Sequence, residues 1–482
     1  MNSLKTSSIN AAKWNFFANI GSYFISFFLS IILARILEPK EFGMTGMLAV
    51  FIAIAVVFIN SGISVAIVRS KDITEDDYST AFYFNVVVGL FFYSLFFILS
   101  PLIADFFNEP ILVPLTKLLS LVFVINSFGI IQNTILIKEI NLKKQSICYL
   151  LGMLVSAIVS AIMAFNNYGV YSIVGQSISQ ALTTNILFWL TSKWKPSGRF
   201  KFNSFRKIWS FGSKVLATNL VSTFVDNIDN FLIGKIFYAN QLGYYVRAKS
   251  SKIMPEQILT NTLQATIFPI LSKVNDNDNL FLQYHLKFYN LAVYIFLPVV
   301  FGFIAVAKAF TIVLYTEKWL PSVPFLQIII LSSISIFLSA FFNQTIMAKG
   351  EGNLYMKLNT IKKLIGLFSI PFGVFWGLIP FLWAFVFISV VSLSIDYYFV
   401  SKLLKISMKY YFIKLFKPLV LSIAMFLCAY AILFLPIANY YVVFLTQIFT
   451  GVFVYIFLSS IFRIEEFLYL KEIVFGKSHH FF

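Results

Sequence analysis

The chain has 482 residues, 59% of them hydrophobic and 12% charged, with a mean hydropathy of +0.84. A water-soluble domain cannot hide that much apolar surface, so the solvent is lipid. The net charge of +17 does not make it a nucleic-acid partner, because no soluble segment is long enough to form a basic domain; it fits a cytosolic bias of Lys and Arg beside membrane spans.

A spanning helix needs roughly 20 mostly apolar residues. Such runs predict an all-α polytopic membrane protein of about fourteen transmembrane helices, at 12–37, 42–69, 78–105, 112–137, 146–166, 168–192, 207–237, 241–272, 286–315, 321–347, 354–376, 378–401, 411–435 and 440–461. The first run, preceded by Lys5 and Lys13, is too long for a signal-peptide core and lacks a small-x-small cleavage site, so it reads as a retained span. Turn chemistry marks the joints: Glu38-Pro39, Asn108-Glu109-Pro110, Asn166 to Gly169, Asn275 to Asn279, Gly350-Glu351-Gly352 and Leu435-Pro436. Glu75-Asp76-Asp77 reads as a helix-start cluster and Asp276-Asn-Asp278 as a solvated turn. Cys148 and Cys428 read as buried small apolar residues. His285 opens a span, and His479 and His480 lie in the tail, so no zinc or haem constellation and no cofactor is expected.

Lys and Arg concentrate in the joints Lys193–Lys214 and Lys402–Lys417, whereas those at 166–169, 376–379 and 435–440 carry none. This is a positive-inside pattern that predicts cytosolic termini. A phrase at the end of the first span, Arg35-Ile-Leu-Glu-Pro-Lys-Glu-Phe-Gly43, returns 200 residues later as Lys235-Ile-Phe-Tyr-Ala-Asn-Gln-Leu-Gly243, with Asn19/Asn219 and Ser22/Ser222 in step. Six spans lie in that offset, and an even number returns the chain to the same side. The repeat therefore predicts two parallel six-helix lobes, 1–205 and 206–405, followed by spans thirteen and fourteen and a tail at 406–482.

Lys117, Lys235, Arg247, Lys249, Lys252 and Lys308 fall inside or at the ends of spans, where a charge needs a water-filled cavity, a partner or an anionic ligand. Lys249 and Lys252 share a helix face, and Arg247 projects away from both. Either Arg247 pairs locally while the lysines face a cavity, or the reverse, or all three snorkel to the interface. Asp226 and Asp229 also share a face and suit a proton or sodium site, or a counter-ion for Lys235 and the eighth span. Asp396 reads as interfacial.

Leu33-Ala-Arg-Ile-Leu-Glu-Pro-Lys-Glu-Phe-Gly43 with Asn60-Ser-Gly62, and Asp229-Asn-Phe-Leu-Ile-Gly234 with Leu242-Gly-Tyr-Tyr-Val-Arg-Ala248 and Phe268-Pro269, resemble the two half-signatures of polysaccharide flippases. These form the polysaccharide transporter branch of the multidrug/oligosaccharidyl-lipid/polysaccharide exporter superfamily. The resemblance covers nearly the whole chain. It implies a non-enzymatic carrier in the bacterial cytoplasmic membrane that translocates an undecaprenyl-pyrophosphate-linked oligosaccharide by alternating access around a cationic cavity. The implied partners are this lipid-linked oligosaccharide, membrane lipids and the polysaccharide polymerase machinery, with no nucleic acid. Arg35, Lys235 and Arg247 match basic positions of the signatures, so with Lys249 and Lys252 they are the candidate substrate-binding residues. Asp226 and Asp229 are the ion-coupling candidates. A peptidoglycan-precursor flippase is the nearest rival. A drug–cation antiporter or a membrane glycosyltransferase is a more distant one.

Overall fold

The computed structural model describes residues 2–60 and 62–474, and for residues 2–13, 15–19, 254 and 474 the backbone alone. The tail histidines His479 and His480 lie outside the described residues. All regular structure among the described residues is helical, and the chain divides into two compact units, Met1–Val246 and Arg247–Phe482.

The first unit contains α1 (Asn2–Ile36), α2 (Pro39–Asn60), α3 (Ile63–Arg69), α4 (Glu75–Phe107), α5 (Leu112–Ser127), α6 (Ile130–Lys138), α7 (Leu142–Phe165), α8 (Tyr171–Ser192) and α9 (Phe202–Ile236). It also takes the first residues of α10 (Tyr238–Lys273), the rest of which belongs to the second unit. The second unit continues with α11 (Asp278–Tyr315), α12 (Val323–Ala348), α13 (Gly352–Gly366), α14 (Ile370–Trp376), α15 (Leu378–Leu404), α16 (Met408–Ala431), α17 (Tyr440–Ile461) and α18 (Glu465–Val474).

Among the described residues nine segments are long and apolar enough to cross a membrane, and a tenth forms if α5 and α6, bent by 42°, count as one broken span. The protein is thus an all-helical, multi-pass membrane protein. Each predicted run falls on helical structure, with 42–69, 112–137 and 354–376 each divided between two helices, but α1, α8, α9 and α10 lie outside that apolar set. The apolar part of α1 is Ile20–Ile36, and α8 to α10 carry many Ser, Thr, Asn, Gln and charged side chains.

The joints form as their residues dictate. Asn108, Asn167, Gly169 and Gly350 all take positive φ, the conformation Asn and Gly tolerate best. Thr74 and Asp77 close a reciprocal capping box at the start of α4, so the acidic cluster does cap a helix. Asn277 caps α11, and the exposed Asp278 pairs with Lys349 at 2.7 Å. Cys148 is buried, but Cys428 is exposed on α16. An apolar surrounding in sequence does not distinguish the core of a membrane protein from its lipid face, since both are apolar.

In the first unit α2 packs along α9, α4 along α5, and α7 along α1 and α8. In the second, α11 packs against α12, α16 and α17, and α12 against α15. The core of the second unit is aromatic: Tyr289, Phe341, Phe342, Tyr397 and Tyr411 are each at most 2% exposed. The hydroxyls of its tyrosines are hydrogen-bonded internally. Tyr289 and Tyr397 share a hydroxyl hydrogen bond of 2.8 Å, and the ring nitrogens of His285 meet the hydroxyls of Thr345 at 3.0 Å and Tyr411 at 2.8 Å.

Candidate functional site

The two copies of the repeated phrase meet each other. A Cβ at Gly43 would overlap the backbone carbonyl of Ala239, and a Cβ at Gly243 would overlap that of Pro39. Residues 39 and 239 are equivalent in the repeat, so the contact is reciprocal. Each glycine at the start of one copy's second helix lies on the helix start of the other copy. Only a residue without a side chain permits this approach. The surrounding small residues follow: Gly46 packs on Leu242 and Val246, and Gly234 on Met47, Leu242 and Phe107.

The copies also share a burial pattern. Ala34 and Gly234 are buried, Arg35 and Lys235 exposed, and Pro39 and Ala239 buried. The duplicated cations therefore sit at equivalent exposed corners of this crossing. Lys235 Nζ donates to the Phe106 carbonyl at 2.5 Å and lies 4.3 Å from the Phe106 ring centroid. Nearby on α2, Lys40 pairs with Glu109 at 3.1 Å.

Asp226 is exposed and Asp229 half-buried, so the two do not share one environment. Asp229 accepts a 2.5 Å hydrogen bond from the Tyr245 hydroxyl and a 2.9 Å bond from the Asn230 amide. The tyrosine comes from the first turns of α10, so this contact ties α9 to α10 within the first unit.

The cations of α10 separate by environment. Arg247 is 3% exposed, with its guanidinium 4.6 Å from the Tyr315 ring centroid and 5.1 Å from that of Trp319. Lys252 is also buried; it pairs with Glu256 at 3.3 Å and donates to the Ser332 hydroxyl at 3.0 Å. Glu256 in turn accepts from Ser333 at 2.6 Å. Lys249 alone of the three is half-buried. Neither of the opposed faces predicted for Arg247 and the lysines is bare: Arg247 lies under aromatic rings and Lys252 in a built ion-pair network.

Two features escaped sequence reasoning. Asp396 is fully buried, with both carboxylate oxygens on Lys362 Nζ at 2.8 and 2.9 Å and the Ser339 hydroxyl donating to it. The partner lies on another helix, α13, and only tertiary packing brings it near. Arg69, unremarked in the sequence, stands over Phe211 at 4.4 Å.

A family model described as "Polysaccharide biosynthesis protein" matches residues 32–324, a stretch that contains both copies of the repeat and the cations of α10. The teichuronic acid biosynthesis protein TuaB of Bacillus subtilis is 25% identical over 435 residues, 90% of each chain. The lipopolysaccharide biosynthesis protein WzxC of Escherichia coli is 25% identical over 89% of this chain and 88% of its own. Among solved structures, the lipid II flippase MurJ matches 94% of this chain and 98% of its own with a TM-score of 0.76 at 18% identity. An inward-facing multidrug MATE transporter covers 80% of this chain and 94% of its own at a TM-score of 0.63 and 14% identity, so the likeness to both structures is one of fold. The chain belongs to the polysaccharide biosynthesis protein family, whose model covers more than half of it.

Proposed function

We propose that this protein is a flippase that moves an undecaprenyl-pyrophosphate-linked oligosaccharide unit across the bacterial cytoplasmic membrane by alternating access, supplying a surface polysaccharide such as O-antigen, capsule or exopolysaccharide. The observation that carries the reading is the family match over residues 32–324, which encloses the reciprocal glycine crossing of the duplicated helix joints. In this reading the chain spans the membrane fourteen times as two parallel six-helix lobes, 1–205 and 206–405, with two further helices, and both termini are cytosolic.

Sugar hydroxyls and a pyrophosphate lose their water in hydrocarbon at a prohibitive cost, so the carrier must replace that water with polar and cationic side chains. Arg35 and Lys235 attract the anionic head at the outer ends, and Arg247, Lys249 and Lys252 form the deeper cationic stretch. Lys249, the half-buried one of the three, supplies the direct contact. Outward movement of the head is favoured by roughly 2.3 kcal/mol per negative charge per 100 mV. Asp226 and Asp229 are the ion-coupling pair of this reading.

The experiment is a deletion strain assayed for leaflet-resolved lipid-linked oligosaccharide, with mass spectrometry of what accumulates. Accumulation of a polyprenyl-linked repeat unit in the inner leaflet, reversed by the wild-type chain and not by K249Q, is expected. A second reading, a peptidoglycan-precursor flippase, is favoured by the backbone likeness to MurJ. Rescue of cells depleted of their own precursor flippase would select it.

A further inference from the structure

The first unit holds a cavity of about 200 Å³ where α3 and the loop after it meet α9, lined by Ala66, Arg69, Ile73, Lys207, Ile208 and Phe211. The start of α3 is pinned to α9 by backbone contact: Gly62 has φ +64°, and a Cβ there would overlap the Gly212 carbonyl. The cavity lies at the other end of the same helix. Its volume is below the roughly 300–1,000 Å³ of pockets that enclose a drug-sized ligand, so it suits a head group and a few carbons.

Its charge is positive. Arg69 forms no ion pair with a carboxylate among the described residues, and its guanidinium lies over the Phe211 ring, 4.4 Å from the centroid. Lys207 Nζ donates to the Asp72 carbonyl at 2.6 Å and the Asp77 carboxylate at 3.1 Å. Lys138 Nζ donates to the carbonyls of Ile67 and Ser70 at 3.2 and 2.9 Å, at the end of α3. Of these three cations only Lys207 is hydrogen-bonded to a carboxylate, that of Asp77, while Asp72 and Asp77 both act on the charge of Lys138. The remaining lining is Ser70 and the apolar Ala66, Ile73, Ile208 and Phe211. A cationic rim over apolar walls matches the junction between a phosphate head and a hydrocarbon tail.

We propose that this cavity is a loading site for the pyrophosphate of a polyprenyl-linked substrate, with Arg69 as its phosphate ligand and Ile73, Ile208 and Phe211 against the first isoprenyl carbons. The proposal rests on the flippase reading. It places loading on the face of the Lys193–Lys214 joint, the cytosolic side in that reading, before the head reaches the deeper cations.

The test uses the full chain in phosphatidylcholine nanodiscs and measures retention of undecaprenyl pyrophosphate, phosphatidylglycerol and inorganic pyrophosphate. The expected result is preferential retention of the polyprenyl lipid. R69Q weakens that retention about tenfold, as loss of charge-assisted hydrogen bonds implies. R69K recovers part of it and F211L loses part, while K201Q, which removes a charge outside the cavity, leaves it unchanged. Equal retention by wild type, R69Q and F211L overturns the site and leaves the flippase reading standing. Equal retention of phosphatidylglycerol or inorganic pyrophosphate overturns the polyprenyl assignment. A wild type that retains none of the three, in a strain where it also moves no oligosaccharide, overturns both.

Discussion

Gly43 and Gly243 are the residues on which the duplicated joints depend, because each faces a backbone carbonyl that has no rotamer to yield. G43A and G243A should each destabilise the protein by about 1–3 kcal/mol, as overpacking does, and lower the thermal unfolding midpoint in detergent. G366A, with open space at its Cβ position, should leave the midpoint unchanged or raise it. The pair Lys362–Asp396 makes a second residue-scale prediction. Removing one partner strands a buried charge, so D396N or K362M should cost about 3–5 kcal/mol, and K362M combined with D396L should recover most of it. The repeated glycines were legible because duplication is a property of sequence alone. The Lys362–Asp396 pair was not, because nothing local tells a lysine on one helix which carboxylate on another it will meet.

At the scale of helices, apolar run length located the elements, and Asn and Gly located the joints. It did not reveal the breaks at Gly62 and between α5 and α6, because a bend leaves composition unchanged. Nor did it foresee what joins the helices of the second unit. His285 on α11 links α12 through Thr345 and α16 through Tyr411, all three fully buried. H285F should leave the Tyr411 hydroxyl without that partner and destabilise by about 1–3 kcal/mol, and H285F with Y411F should regain part of the loss. Equal thermal midpoints for H285F and wild type would show that the network does not hold these helices together.

For the whole molecule, the charge pattern and the repeat predict one topology, two parallel halves with both termini inside. In a chain whose Cys148 and Cys428 are replaced, a single cysteine in the 166–169 turn should react with an impermeant maleimide added outside intact cells. One in the Lys193–Lys214 joint should react only after permeabilisation. The compact units divide at Val246 and Arg247, inside α10, rather than at the joint near residue 205. The reason is local: α9 packs along α2, α3 and α4, and the glycine crossing fastens the start of α10 to α2. In the proposed function the protein moves a polyprenyl-pyrophosphate-linked oligosaccharide between leaflets. Reconstituted in liposomes with that lipid and with a lipid-linked peptidoglycan precursor, the purified chain should expose the oligosaccharide lipid to an external glycosidase far faster than protein-free vesicles. It should leave the precursor behind. Equal exposure with and without protein, or faster movement of the peptidoglycan precursor, would contradict the account.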